Sequence, residues 1–236
     1  VRPRPAAEPP VGDGAVRVEL TDGHALLVVP ATPVAVPLLA GIVVGPVLVR
    51  RPAALGEPAV TVRARERAAI RPAEKVLVLT PVYNIFFNSI LNNGRQVLES
   101  RLRYDGEAYS IDYADLEAKL ADPQTSMLIF CNPHNPVGKI WSAEELRKVG
   151  ELCRKHHVVV VSDEIHCDLT EPGMGYVPFA SVSEDCRNNS IICIAPTKAF
   201  NLAGMQTAAV CVPDPVLRHK VWRGLNTDEV AEPNAF

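Results

Sequence analysis

The chain has 236 residues, a formal net charge of −3 and 22% charged side chains, which is the composition of an ordinary globular protein. No block of lysine and arginine predicts a nucleic-acid or anionic membrane surface, and no apolar stretch is long enough to predict a membrane span. The N-terminal residues lack the apolar core of a signal peptide, and the six cysteines form no C-x-x-C pair. The sequence therefore predicts a cytoplasmic protein without disulfides or a metal site.

Residues 1–70 differ in composition from the rest of the chain. They contain no aromatic residue and no lysine, and they hold ten of the 21 prolines. Three interpretations are open: a disordered extension, a divergent small domain, or a translation in a shifted reading frame, which we favour. We expect residues 1–71 to lie outside the main domain, which spans residues 72–236, except for a contribution from residues 41–45.

Strand and helix patterns alternate from residue 72 onward. Short apolar runs predict buried strands at residues 76–79, 127–131, 158–161 and 191–194. Helices are predicted at residues 84–93, which Gly94 ends, from Asp112 to Leu120, and after the capping box Ser142–Glu145. This rhythm predicts an α/β fold with three layers, α/β/α, around a mainly parallel sheet.

Three polar segments each follow a predicted strand or end it. They are Asn132–Gly138, Ser162–His166 and Ala195–Lys198. Open α/β sheets bind their ligands at the carboxyl ends of the strands, where these segments meet. An amide, a carboxylate and a lysine amine at one sheet edge match the needs of pyridoxal 5′-phosphate (PLP).

The three segments, together with Thr80–Tyr83 and Phe200–Gly204, resemble the fold-type I, aspartate-aminotransferase-like (class I/II) PLP enzymes. Within that superfamily they look most like the cystathionine β-lyase-type C–S lyases. The resemblance runs from about residue 72 to the last residue. It implies the large domain of the PLP transferases, PLP as cofactor, a small amino-acid substrate and a homodimer.

The resemblance assigns the chemistry to Lys198, Asp163 and Asn135. Lys198 corresponds to the lysine that holds the cofactor as a Schiff base and acts as the catalytic base; the alternative is a solvated loop lysine. Asp163 corresponds to the acid that pairs with the pyridinium nitrogen; the alternative is a helix N-cap, a task that Glu164 could share. Asn135 corresponds to the amide that bonds the ring hydroxyl.

Three further residues complete the predicted cofactor site. His166 stands where aminotransferases commonly carry a tyrosine near the same ring oxygen, and Tyr83 resembles the aromatic residue that stacks on the ring. A surface histidine and a core tyrosine are the alternatives. Thr197 is predicted to donate its hydroxyl to the phosphate, helped by backbone amides near the loop. The family's usual serine and arginine positions hold Ala195 and Gln206, so the phosphate contacts are expected from Thr197, Gln206 and the loop at residues 41–45.

These residues predict a PLP-dependent C–S β-lyase that cleaves cystathionine or cysteine S-conjugates to a thiol, pyruvate and ammonia. A class I/II aminotransferase shares the early chemistry and is the first alternative. An inactive fragment or a regulatory protein is the second, because no aromatic residue precedes Tyr83 to match the family's dimer-crossing tyrosine and the family's C-terminal arginine has no counterpart. The loop at residues 41–45 resembles the family's phosphate loop.

Overall fold

The computed structural model describes residues 17–19, 25–30, 74–203 and 207–227. The strands in this part of the chain are β1 (Arg17–Glu19), β2 (Ala25–Pro30), β3 (Lys75–Thr80), β4 (Gln96–Arg101), β5 (Arg103–Tyr104), β6 (Tyr109–Ser110), β7 (Thr125–Cys131), β8 (Val159–Asp163), β9 (Ser190–Ile194) and β10 (Thr207–Cys211). The helices are α1 (Ile85–Asn92), α2 (Tyr113–Leu120), α3 (Ala143–Lys155), α4 (Glu184–Asn188) and α5 (Pro215–Thr227), with a 3₁₀ turn at Phe179–Ser181. The strands and helices predicted from the sequence are all present, with ends shifted by one or two residues.

One mainly parallel sheet forms the centre of the molecule, as predicted. Its strand order is β1-β2-β10-β9-β8-β7-β3-β4. The block from β4 to β9 is parallel throughout, whereas β10, β2 and β1 add antiparallel pairings beyond β9. Because parallel strands have their carboxyl ends at the same edge, the loops that follow β3, β7, β8 and β9 meet there.

Helices cover both faces of the sheet and give the predicted three layers. On one face, Val76 and Val78 belong to a core that includes residues of α1 and α5, here called the α1/α5 core. On the other face, Leu77 and Leu79 belong to a core with residues of α2, α3 and α4, here called the α2/α3 core. Successive strand residues point to opposite faces, so covering both faces requires the continuous apolar runs seen in the sequence.

The predicted helix ends have the expected hydrogen bonds. Ser142 Oγ accepts the N–H of Glu145 at 3.2 Å, and Glu145 Oε2 accepts the N–H of Ser142 at 2.8 Å, which completes the capping box of α3. Asp112 Oδ1 accepts the N–H of Asp115 at the start of α2. Gly94 has φ +69° just after α1, in the left-handed region that ends helices with glycine.

The sequence analysis did not predict β4 or the β5–β6 hairpin. Along β4, from Gln96 to Arg101, only Ser100 is buried, so the strand carries no apolar run. Among residues 17–19, 25–30, 74–203 and 207–227, this strand is the last in the sheet order and pairs with one neighbour, β3. An edge strand needs little apolar surface, which is why a search for buried runs misses it.

Two strands near the N-terminus correct one expectation. The prediction that residues 1–70 lie outside the main domain, apart from residues 41–45, is wrong for β1 and β2. β2 pairs with β10 from Thr207↔Pro30 to Cys211↔Leu26, and β1 pairs with β2. Valine favours strands, and backbone pairing needs no aromatic residue. Residues 31–73, including the loop at 41–45, lie outside the described residues, so the boundary at residue 71 and the shifted-frame origin stay predictions.

All six cysteines are free. Packing is tight between α3 and α4, where a Cβ atom at Gly150 would collide with the Sγ atom of Cys186. Burial raises the pKa of the Cys186 thiol and of its neighbour Cys153. The four buried thiols, those of Cys131, Cys153, Cys186 and Cys193, therefore act as small apolar core groups.

Candidate active site

Three strands deliver the predicted polar segments to one place. In the sheet register, Cys131 at the end of β7 and Cys193 on β9 are both partners of Asp163, the last residue of β8. The pairing continues past the strand ends, because Asn132 N–H donates to the Asp163 carbonyl at 2.9 Å and Glu164 N–H donates to the Cys193 carbonyl at 2.8 Å. The loops that follow these three strands therefore start side by side.

Asp163 lies half-buried at this edge. Burial raises the pKa of its carboxyl to about 6, the charge of neighbouring Glu164 acts in the same direction, and the Ile165 N–H and the Lys198 charge oppose the shift. The Ile165 N–H donates to Oδ1 at 3.3 Å. The bond closes a turn after β8, and no helix of the described chain begins there, so the N-cap alternative is wrong for Asp163.

Lys198 lies in a hydrogen-bonded turn after β9. Phe200 N–H donates to the Pro196 carbonyl at 3.0 Å, and Leu202 N–H donates to the Thr197 carbonyl at 3.2 Å. The lysine side chain is exposed at the sheet edge. Its charge favours the ionised Asp163 carboxylate and lowers the pKa of His166, so Lys198 lies within electrostatic range of both residues.

Asn135 and His166 share a cleft. The cleft has a volume of about 430 Å³. Its lining is Pro133, His134, Asn135, Pro136, Gly138, Ile140, His166, Leu169, Thr170, Glu171 and Met174. Burial lowers the pKa of His166, and the Lys198 charge lowers it further, so the imidazole is neutral at neutral pH. The other predicted site residues, Tyr83, Asp163, Thr197 and Lys198, do not line this cleft.

Tyr83 and Thr197 complete the predicted set. Tyr83 follows β3, whose carboxyl end reaches the same edge because β3 pairs parallel with β7. The Tyr83 ring packs against the α1/α5 core and meets Phe86 edge to face, with ring centroids 5.7 Å apart. Thr197 directly precedes Lys198 in the turn after β9. Gln206 and the loop at residues 41–45 lie outside the described residues.

Glu164 is a buried site residue that the sequence analysis missed. Its Oε1 atom accepts hydrogen bonds from Ser162 Oγ at 2.7 Å and from Phe179 N–H at 2.9 Å, and Asn132 Nδ2 lies at 3.4 Å. Its Oε2 atom accepts the Tyr176 hydroxyl. Glu164 therefore ties the ends of β7 and β8 to residues 176–179, and it caps no helix. In the sequence, the position of Glu164 directly after Asp163 at a strand end was the one feature that could have indicated its role.

His134 is a second buried residue that sequence reasoning missed. Its Nε2 atom donates to the Pro81 carbonyl at 3.0 Å, and its ring lies edge-on to Trp141. Burial lowers the pKa of His134, so the ring is neutral. Because Pro81 belongs to the segment that carries Tyr83, this bond fixes the loop after β3 to the loop that holds Asn135.

Neither a metal centre nor a membrane-spanning helix is found among the described residues. Residues 17–19, 25–30, 74–203 and 207–227 hold no group of three histidine, cysteine or acidic side chains placed to bind a metal ion. In the same ranges no helix is both long and apolar enough to cross a bilayer.

The fold and the site define an α/β protein of the doubly covered parallel-sheet class with a lysine, an acid and an amide at the carboxyl edge. The family model for aminotransferase class I and II matches residues 62–224, so the chain belongs to this family. The chain is 46% identical over 170 residues to cystathionine beta-lyase PatB of Bacillus subtilis, which covers 72% of this chain and 44% of that protein.

Two solved structures extend the comparison. Cystalysin from Treponema denticola, which contains a pyridoxal 5′-phosphate cofactor, matches with a TM-score of 0.69 and 30% identity over 87% of this chain and 45% of that chain. The PLP-bound C–S lyase from Staphylococcus hominis matches with a TM-score of 0.67 and 27% identity. This match covers 86% of this chain and 45% of that chain. The chain thus spans less than half the length of these relatives.

Proposed function

We propose that this chain carries the cofactor-binding part of a PLP-dependent C–S β-lyase acting on cystathionine or related cysteine S-conjugates. The convergence of Asn135, Asp163 and Lys198 at the carboxyl edge carries the proposal, because this edge is where such sheets bind ligands. The likeness to proteins named cystathionine beta-lyase and C–S lyase supports the reaction type. The activity is a property of the whole protein, and the matched part of this chain covers 44% of the PatB relative and 45% of the cystalysin chain.

The residues present fit PLP. Asp163 offers a carboxylate that accepts one long hydrogen bond from the described residues, which leaves acceptor capacity for a cationic ring nitrogen. Lys198 offers an exposed amine within electrostatic range of that carboxylate. Thr197 offers a hydroxyl for the phosphate, and Asn135 and His166 offer polar groups at the cleft.

Each residue has a distinct proposed task. When bound, PLP supplies an electron-accepting ring that makes the substrate Cα–H bond acidic. Lys198 would be the covalent attachment point and the base that removes the Cα proton, while Asp163 would keep a proton on the ring nitrogen. Asn135 and His166 would hold the ring through its hydroxyl, and Tyr83 would offer an aromatic contact to the ring. Loss of the β-thiolate then gives a thiol, and hydrolysis gives pyruvate and ammonia.

A class I/II aminotransferase is the second candidate, and the description of the matching family favours it. Both reactions use the same lysine and acid. They differ in product: the lyase releases a thiol and ammonia with pyruvate, whereas the transferase moves the amino group to a keto acid. Assaying both product sets with cystathionine and a keto-acid acceptor separates them.

We also propose a homodimer in a reducing, cytoplasmic compartment. The family resemblance supports the dimer, and the six free cysteines support a reducing location. Sedimentation of the PLP-loaded chain tests the assembly, with a single monomeric species as the contradicting result.

Reductive trapping tests the central assignment. The full chain is loaded with PLP, reduced with borohydride and digested, and the modified peptide is identified by mass spectrometry. We expect the label on Lys198 and its loss in Lys198→Ala. Lys148→Ala, which removes an exposed lysine on α3, is the matched control and should retain the label. A label that stays at another lysine in Lys198→Ala would reject the assignment.

A further inference from the structure

Two buried thiols flank Asp163 in the sheet. Cys131 on β7 and Cys193 on β9 are its register partners, and partners in neighbouring parallel strands point to the same face. Asp163 shares the face of Val161, two residues earlier, which lies with both cysteines in the α1/α5 core. The two cysteines are only 2% and 6% exposed. The carboxylate thus emerges between two sulfur side chains.

Neither thiol is a strong hydrogen-bond donor. Burial raises the pKa of Cys131 and of Cys193 far above its ordinary value, and the Asp163 charge adds to both shifts, so both groups are neutral thiols. From the described part of the chain, one hydrogen bond reaches the carboxylate, the 3.3 Å bond from Ile165 N–H. Asp163 therefore has few donors, although its neighbours on both sides are densely packed.

We propose that Cys131 and Cys193 are positioning residues for Asp163, which flank its carboxylate with weak donors and leave the cationic ring of bound cofactor as its main ionic partner. The identity of that partner rests on the proposed function. The scarcity of strong hydrogen-bond donors to the Asp163 carboxylate does not depend on the cofactor. A hydroxyl at either position would donate to the carboxylate and stabilise its charge before any ligand arrives.

Within the described part of the chain, the charged groups that act on Asp163 are Lys198, from the turn after β9, and Glu164, the next residue in the chain. Lys198 favours the charged carboxylate and Glu164 disfavours it. The effects of Lys198 and Glu164 on the Asp163 pKa oppose each other, and the thiols of Cys131 and Cys193 donate only weakly. Desolvation is therefore the largest influence on the Asp163 pKa. A carboxyl kept in this state binds a cation more tightly than one already satisfied by protein donors.

The test uses the full cofactor-free chain, so it does not depend on activity. Aspartate labelled at the carboxyl carbon is titrated by NMR, and the Asp163 signal is assigned by its loss in Asp163→Asn. In the wild-type chain we expect Asp163 to titrate well above an ordinary aspartate. Cys131→Ser and Cys193→Ser should each lower its pKa by about one unit, a tenfold change in proton affinity. Cys153→Ser, which places a hydroxyl in the α2/α3 core, should leave it unchanged.

Two results would overturn the proposal. One is an unchanged Asp163 titration in folded Cys131→Ser and Cys193→Ser. The other needs no variant: an Asp163 pKa at or below the ordinary aspartate range in the wild-type chain would mean that strong donors already satisfy it. A PLP titration of the same proteins separates this proposal from the proposed function. Failure of the wild-type chain to bind PLP would reject the latter, while the NMR result would still decide the role of the thiols.

Discussion

Asp163 and Glu164 are adjacent at the end of β8 but lie on opposite faces of the sheet and have opposite surroundings. Asp163 lies on the α1/α5 side between two thiols and accepts one long hydrogen bond from the described residues. Glu164 lies on the α2/α3 side, where Ser162, Tyr176 and Phe179 N–H donate to it. A carboxylate whose acceptor sites are filled by the protein stabilises the fold, whereas one left under-donated is available to a ligand.

The largest expected effect is on stability at Glu164. Glu164→Ala would leave the Ser162 hydroxyl, the Tyr176 hydroxyl and the Phe179 N–H without their acceptor in a buried region. We expect a loss of about 3–5 kcal/mol in the free energy of unfolding, measured by urea denaturation. Glu151→Ala removes an exposed carboxylate from α3 and should change it little. Equal losses in the two variants would contradict the structural role of Glu164.

The next effect is on catalysis at Asp163. Asp163→Asn keeps the shape of the side chain but removes its charge, so the ring nitrogen loses the acid that keeps it protonated. We expect pyruvate release from cystathionine to fall at least about 100-fold, roughly 3 kcal/mol in the barrier. The exposed neighbour Asp168 provides the control variant Asp168→Asn, which should keep near-normal activity. Near-normal activity in Asp163→Asn would assign the acid to another residue.

A smaller effect is expected for a single donor to Glu164. Tyr176→Phe removes one hydroxyl from the carboxylate and keeps the ring. Because a hydrogen bond to a charged group is stronger than a neutral one, the free energy of unfolding should fall by about 1.5–3 kcal/mol. Tyr104→Phe removes an exposed hydroxyl that donates to the Gly106 carbonyl, and it should cost less. A larger loss for Tyr104→Phe would show that the Glu164 contact adds little.

The smallest effect is a pH-dependent change in the free energy of unfolding at Asp163. Here the substitution is expected to stabilise the chain, whereas the substitutions above cause losses. The Asp163 pKa is raised from 3.8 to about 6, mainly by desolvation, so the folded state binds this proton more tightly than the unfolded state. The stabilisation from protonated Asp163 is fully present below the pKa that the residue has in the unfolded chain. It is lost as the pH rises through the pKa that the residue has in the folded chain. Asp163→Asn, which stays neutral, should gain about 1–2 kcal/mol over the wild-type chain on going from about pH 4 to about pH 8. Urea denaturation of the cofactor-free proteins measures this, and a pH-independent difference would contradict it.

The sequence predicted the parts of this comparison that local patterns encode. Asp163 was found because it ends an apolar run and stands in a recognisable segment, and the covered sheet followed from such runs. The role of Glu164 was missed because two of its donors, Tyr176 and Phe179, lie 12 and 15 residues further along the chain. No periodic pattern records such contacts. The strands β1 and β2 were missed for a related reason, since pairing with β10 spans most of the chain.

The raised thiol pKa values have a consequence for chemical labelling. In all six cysteines burial is the first cause of the increase, including Cys167, which is half-buried and has a pKa of about 11. Alkylating reagents and oxidants react with the thiolate, which is scarce in each of these groups at neutral pH. The four buried thiols, those of Cys131, Cys153, Cys186 and Cys193, should therefore resist both and become reactive only when their surroundings open. Residue-resolved alkylation rates at these four positions then report local opening of β7, α3, α4 and β9 separately, without any added probe.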